Sequence, residues 1–398
     1  MFLEILLFLF LGVGAGVLTG LIPGLHPNTL FAVLLMFLPL LMSLPLHYTL
    51  AFIVSLSVCN TFTNFIPSIL FGAPEDSSAL SVLPGHRMLL AGNGYEALLL
   101  TVIGGLSVII LTTLTFPLLI FIIPLLFNNI HAYIHILLFC IFVWMVITEQ
   151  GSAKFSAVLI FLLSGTFGLI SLTTLPSQLA IFPALTGLFG LSTLFVSLMH
   201  HISIPEQSQS GISLTFARGS IAGWLSGLVV GLLPGIGAAQ AGVMSAQLLK
   251  TKTKNFLVSL GGINTANILF TFIALYTIGK TRSGAAFTVS QLTDSLTFLD
   301  VVFVMAVAVA AGGLAAFTTM SIGKFLMNRM RSIPYATLTK AIIIGLMGLV
   351  VLFTGPLGLL VTAVGTLIGL TTILMGIRRT HMMGFFMVPT MLFFAGVF

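Results

Sequence analysis

Charge is the scarcest thing in this chain. Of its 398 residues, 14 are Lys or Arg and 8 are Asp or Glu. Charged residues make up 6% of the sequence, against about 25% in an average soluble domain. A soluble fold of this size cannot keep its surface wet with so few charges. Hydrophobic residues reach 58% and the mean hydropathy is +1.22. A soluble enzyme, a nucleic-acid binder and a disordered chain are therefore excluded. The apolar runs are continuous rather than alternating, which argues for helices and against a porin-type barrel. At about 20 apolar residues per span, about ten to fourteen spanning or re-entrant segments fit. The expected fold class is an all-α polytopic membrane protein.

The first 21 residues are apolar, with one acid, Glu4, and no basic n-region, so they read as a retained first helix rather than a removable signal. The first apolar run reaches Pro45 but is broken at Ile22-Pro-Gly-Leu-His-Pro27. His47 to Phe71 follows, then a polar stretch from Gly72 to Glu96. Four more apolar runs fill the chain to Met199. The composition then shifts: residues 201–217 read as a linker, between a first transmembrane repeat over 1–200 and a second over 218–398. Cys59 and Cys140 lie inside apolar runs, so no disulfide framework is implied.

The second half repeats the order of the first. Gly20-Leu-Ile-Pro-Gly matches Gly231-Leu-Leu-Pro-Gly, and Asn60-Thr61 matches Asn264-Thr265. The run from Phe182 resembles the run from Phe386. Each half thus holds a Pro-Gly-broken hairpin or re-entrant segment, an Asn-rich helix and a polar stretch. Apolar sequences also align by chance, but shared order of three such features makes chance a poor explanation. Basic residues then orient the halves. Lys250, Lys252, Lys254, Lys324, Arg329, Arg331, Lys340, Arg378 and Arg379 sit on alternate connections of the second half, which predicts a cytoplasmic position for them. In the first half Arg87 and Lys154 lie on the other set of connections, so the halves read as two inverted-topology repeats. Such repeats hold substrate between them near the bilayer midplane.

No His-Glu-x-x-His, Gly-x-Ser-x-Gly, Cys-x-x-Cys or Walker-type loop occurs. Nothing predicts catalysis, a bound metal, a cofactor or ATP-driven work. The helix breaks carry the most chemistry. Proline removes a helix donor and glycine permits non-helical backbone. In lipid the freed groups are tolerated only where protein or a water-filled cavity satisfies them. The candidates are Pro23, Gly24, His26, Asn28 and Thr29 in the first break, and Pro234, Gly235, Gly237 and Gln240 in the second. A lone Pro kink is usually structural, whereas two at matching places suggest a binding site.

The Asn-rich helices add Asn60, Thr61 and Asn64, and Asn264, Thr265 and Asn267. Their amides either line a cavity or hydrogen-bond helix to helix, the second being worth only about 0.6 kcal/mol on average. The polar stretches add Ser77 and Ser78, facing Arg282 and Ser283. Small residues ahead of a helix present free amide donors, and Arg can clamp a carboxylate bidentately. A merely solvated loop is the plain alternative.

The chain resembles the TctA family, the large membrane subunit of tripartite tricarboxylate transporters. The likeness runs through essentially the whole chain. It is carried by Gly20-Leu-Ile-Pro-Gly-Leu, by Ile69-Leu-Phe-Gly-Ala-Pro-Glu-Asp-Ser-Ser-Ala-Leu, by Leu83-Pro-Gly-His-Arg-Met, and by Gly231-Leu-Leu-Pro-Gly-Ile-Gly-Ala with Tyr276-Thr-Ile-Gly beyond it. The resemblance implies a cation-coupled importer of di- or tricarboxylates. It also implies two partners, a small membrane subunit and an extracytoplasmic binding protein. His26-Pro27 and Lys280-Thr-Arg depart from the family pattern and mark a divergent member, with a stand-alone transporter as the alternative to the tripartite one.

The expectation is a secondary active transporter in the cell membrane. It moves a small organic anion, most simply a di- or tricarboxylate, coupled to Na⁺ or H⁺. The alternative is a flippase or transporter for an anionic lipid-linked phosphate, using the same breaks around a headgroup. Substrate, coupling ion and any homo-oligomer stay open at this point.

Overall fold

The computed structural model describes residues 2–22, 30–31, 34–35, 37–71, 82–175, 177–199, 205–208, 216–232, 241–242, 253–330 and 335–397. Among them every regular element is a helix and none is a strand. Seven described helical stretches are long and apolar enough to cross a bilayer, and three shorter apolar helices accompany them. The chain is a multi-pass membrane protein. Helices are what this composition dictates, because in hydrocarbon each backbone amide and carbonyl must find its partner within the protein.

The main elements of the first half are α1 (Phe2–Leu21), α2 (Leu46–Thr63), α3 (Phe65–Phe71), α4 (Val82–Leu90), α5 (Gly94–Ile130), α6 (Ile134–Ile147) and α7 (Ala153–Thr174). Then α8 (Ser177–Leu185) runs through a π-helical turn (Thr186–Leu191) into α9 (Ser192–Met199). The second half holds α10 (Ala217–Leu232), α11 (Thr253–Ile278), α12 (Gly284–Ser290), α13 (Phe298–Met330), α14 (Tyr335–Leu374) and α15 (Gly384–Phe394). Helix α14 is broken within its apolar run, just before Pro356. Gly355, at φ 64° and ψ −158°, divides α14 into stretches 335–354 and 356–374. At 1.5 Å per residue each spans about 30 Å, the thickness of a hydrocarbon core.

Each of the two polar stretches contains a short helix. Val82–Leu90 forms α4, whose apolar side meets Phe65, Ile66 and Ile69 in one cluster. Gly284–Ser290 forms α12 because Ser283 caps it: its Oγ accepts from the Ala286 amide at 3.2 Å. The glycine-permitted turn at Gly92 (φ 82°) connects α4 to α5. There the described part of the linker is tied down. Gln207 Oε1 accepts from the Gly94 amide at 2.8 Å, and its Nε2 donates to the Leu89 carbonyl at 3.0 Å.

Matched glycine stripes assemble each half. Gly12, Gly16 and Gly20 of α1 lie against Phe52, Leu56 and Thr63 of α2. Gly223, Gly227 and Gly231 of α10 lie against Ser259, Ala266 and Phe270 of α11. The three glycines of each set are four residues apart, and each stands 211 residues from its counterpart (231 − 20). Without a water-driven hydrophobic effect between helices, close backbone approach over small residues is what holds them together.

The halves then exchange their long helices. α5 of the first half packs on α11 of the second, with Gly104 against Val258 and Gly261 against Thr101. α13 of the second half packs on α2 of the first. These helices, with α1, α3, α4, α10 and α12, form one bundle. α6 to α9 with α14 and α15 form another, in which Gly168 meets Phe385 and Gly187 meets Thr362. Among the described residues, direct packing between the bundles is sparse. One cluster joins them, with Ile134, Phe161 and Met387 against Val230, Ala241 and Ile263.

Candidate functional site

The polar residues of α2 and α11 meet where these two helices cross. The glycine stripes bring α1 and α10 close on one side of each, and the exchanged α5 and α13 close the other. Asn60, Thr61, Asn64, Asn264 and Thr265 are all buried there. Asn267 is partly buried. Thr265 is the thirteenth of the 26 residues of α11, the middle of a helix long enough to span.

Residues at matching positions of the two halves touch at this crossing. Thr61 Oγ1 and Thr265 Oγ1 are 3.0 Å apart and 204 residues apart in sequence. Asn264 Nδ2 donates to the Thr61 carbonyl and to Asn64 Oδ1, both at 3.4 Å. Asn60 Nδ2 donates to Thr19 Oγ1 of α1 at 3.3 Å. These amide bonds are long, near the limit of a useful hydrogen bond. Gly20, the last glycine of the α1 stripe, lies against Thr63 and the Asn64 amide. The chain therefore leaves α1 toward the first helix break beside the Asn-rich end of α2.

The expected site residues Pro23, Gly24, His26, Asn28 and Thr29 lie outside the described residues. So do Ser77, Ser78, Pro234, Gly235, Gly237 and Gln240. Arg282 and Ser283 lie apart from the crossing, on the connection from α11 to α12. Ser283 Oγ caps α12 and also contacts Thr271 Oγ1 at 3.2 Å, so the Ala286 amide, one of the expected free donors, is already used. The Arg282 guanidinium stands over the Phe127 ring at 5.5 Å, and its buried Nε has no hydrogen-bond partner. Burial lowers its pKa from the ordinary arginine value.

A charged cluster that sequence reading did not single out lies at the end of α14. His381 Nε2 and Arg378 Nε both approach Glu149 Oε1 at 3.0 Å. Arg378 also donates to the Thr148 carbonyl at 2.5 Å. Arg379 donates to Thr193 Oγ1 at 2.6 Å, and burial pushes its guanidinium down to about 10. This cluster bonds the α6–α7 turn and α9 of the first half to the chain that follows α14. Arg378 and Arg379 read from sequence only as markers of topology. A separate cavity of about 440 Å³ between α6 and α15 is apolar apart from His135, being lined by Phe139, Val388, Met391 and Leu392 among others. It lies away from the crossing and offers an anion nothing.

An uncharacterized protein of Methanocaldococcus jannaschii is 28% identical over 400 residues, covering 98% of each chain. No solved structure matches. The sequence profile of the tripartite tricarboxylate transporter TctA family matches residues 6–384, through both Pro-Gly breaks and both Asn-Thr helices. The chain belongs to that family of transporters.

Proposed function

We propose that this protein is a secondary active transporter of the cell membrane that carries a di- or tricarboxylate, coupled to Na⁺ or H⁺. One observation carries the reading: Thr61 and Thr265, matching residues of the two halves, meet at 3.0 Å among buried amides where α2 and α11 cross. Residues 1–200 and 218–398 are the two inverted-topology repeats, joined by the linker 201–217. The exchanged long helices and paired glycine stripes support this division. Substrate sits between the repeats. The breaks after α1 and α10 offer backbone amides and helix ends to its carboxylates. Pro23, Gly24, His26, Asn28 and Thr29 belong to this site from one side, and Pro234, Gly235, Gly237 and Gln240 from the other. Ser77, Ser78, Asn267 and Arg282 complete the polar surround. A small membrane subunit and an extracytoplasmic binding protein are the partners that family membership suggests.

The test is uptake of labelled citrate and succinate into proteoliposomes under an imposed Na⁺ or proton gradient. Accumulation above equilibrium that collapses with the gradient is expected. Uptake of neither compound under either gradient, by protein that remains folded, overturns the reading.

A further inference from the structure

The Thr61–Thr265 contact has a proton shortage. Thr61 Oγ1 donates to the Val58 carbonyl at 2.7 Å, and Thr265 Oγ1 donates to the Gly261 carbonyl at 3.1 Å. Each hydroxyl has a single proton. With both protons used on their own helices, two oxygen lone pairs face each other at 3.0 Å. For the two oxygens to hydrogen-bond, one hydroxyl must turn away from its own carbonyl to bridge the gap. Acceptors are also in excess around this pair. Asn60 and Asn264 spend their Nδ2 groups as donors, and among the described residues neither Oδ1 accepts a hydrogen bond. The Thr61 carbonyl, near the junction of α2 with α3, adds a further acceptor.

We propose that this crossing is a Na⁺ site. Its ligands come from Thr61 (hydroxyl and carbonyl) and Thr265 (hydroxyl), and the Asn264 amide, which faces the Thr61 carbonyl, supplies its side-chain oxygen by turning over. A cation between the threonines accepts the facing lone pairs and lets both hydroxyls keep their backbone bonds. The described ligands are neutral and oxygen-only. That chemistry suits a hard monovalent ion, whereas divalent calcium and magnesium sites draw on carboxylates. The ligands come from both halves, so binding joins α2 to α11 and changes the seam beside which substrate sits. The assignment rests on the transporter reading for its purpose, and gives the crossing to the coupling ion and the helix breaks to the carboxylate.

Thermal unfolding of the purified protein tests it without substrate. NaCl is titrated at constant ionic strength against choline chloride. A saturable upward shift in Tm with Na⁺ is expected for the wild type, because an ion that binds only the folded state stabilises it by mass action. T61S, which keeps the hydroxyl, retains the shift. The double variant T61V/T265V loses it while its Tm in choline stays near that of the wild type, since removing both polar partners together leaves no orphan. Should the double variant not fold, T265V alone decides, with a Na⁺ midpoint raised about tenfold or more, a loss of about 1.4 kcal/mol. A wild-type Tm indifferent to Na⁺, or a valine variant that keeps the full shift, overturns the site. A parallel citrate and succinate titration separates the two claims. Stabilisation by a carboxylate without any by Na⁺ defeats this site alone. Stabilisation by Na⁺ without any by a carboxylate counts against the substrate and leaves the site standing.

Discussion

Glu96 and Lys254 join the two halves of the chain, Lys254 Nζ donating to Glu96 Oε1 at 2.5 Å. Glu96 opens the long helix α5, and Lys254 opens α11. Asp300, 204 residues beyond Glu96, opens the other long helix, α13, and stands 3.5 Å from His47 at the start of α2. Each exchanged helix is thus fastened at its first turn to the polar helix of the opposite half. Acids suit that position, where the helix dipole is positive. Asp300 also closes a capping arrangement, accepting from the Thr297 amide and hydroxyl at 2.8 and 2.7 Å.

The Glu96 side chain is 9% exposed and its partner 46%. Lys254→Ala therefore leaves a nearly buried carboxylate alone and is expected to cost about 1–3 kcal/mol. Glu96→Gln with Lys254→Met removes the charge and its partner together and costs less than Lys254→Ala alone. Thermal melts of Glu96→Gln, Lys254→Met and the double variant measure the coupling, and strict additivity rules it out.

Glycine packing makes a second expectation. A Cβ on Gly104 strikes the Val258 carbonyl of α11, where backbone has to give way, whereas one on Gly313 meets nothing within 4 Å. Gly104→Ala should destabilise by about 1–3 kcal/mol. Gly313→Ala, in the same kind of long helix, should be neutral or stabilise by up to about 1 kcal/mol. Equal melting shifts for both would contradict the packing of α5 on α11.

Asn264 makes only bonds of 3.4 Å, to the Thr61 carbonyl and to Asn64. Its structural value is accordingly small, about 0.6 kcal/mol for an interhelical side-chain bond. Asn264→Ala and Asn64→Ala are expected to abolish most transport in proteoliposomes with little change in Tm. Normal uptake by either variant would leave that residue a packing element.

Much of this arrangement is legible in sequence, for physical reasons that differ by residue. Gly20 and Gly231 announce themselves because only glycine allows such close approach of helices. Gly355 does so because it precedes Pro356 within an apolar run. The Thr61–Thr265 contact is half legible. The matching Asn-Thr pairs are visible, but that the two threonines touch depends on how α2 and α11 cross. Helix α4 was hidden by the polar composition around it, although its apolar residues bury against Phe65 and Ile69. Glu149, Arg378 and His381 gave no local signal, because the partners lie more than 200 residues apart and meet only after α6 to α9 have packed with α14 and α15.

That last cluster makes stability depend on pH. His381 is 1% exposed, and burial lowers its pKa against the opposing pull of Glu149. Arg378 adds to the lowering. With the folded value below the unfolded one of about 6.5, the unfolded chain binds more protons through that window. The contribution is whole above pH of about 6.5 and is lost as pH falls toward the depressed folded value. The difference in Tm between wild type and His381→Gln should therefore shrink on acidification from pH 7.5. A constant difference would mean that the imidazole does not titrate in this range.

Arg282 gives the last expectation, because its surroundings fit an unfilled role. It stands over Phe127, outside the long helices, with a buried Nε that donates to nothing. A buried donor left without an acceptor is costly unless something supplies one. A carboxylate of the substrate would do so, and the aromatic face holds the guanidinium plane in place for it. Arg282→Gln should then weaken carboxylate binding by about 1.5–3 kcal/mol, the scale of a charged hydrogen bond. Arg282→Lys should restore only part, since an ammonium keeps the charge and loses the planar fork. If the side chain only packs on Phe127, both variants bind within about 0.5 kcal/mol of the wild type. Calorimetric titration of all three with the best carboxylate distinguishes these outcomes, and equal affinities remove Arg282 from the site.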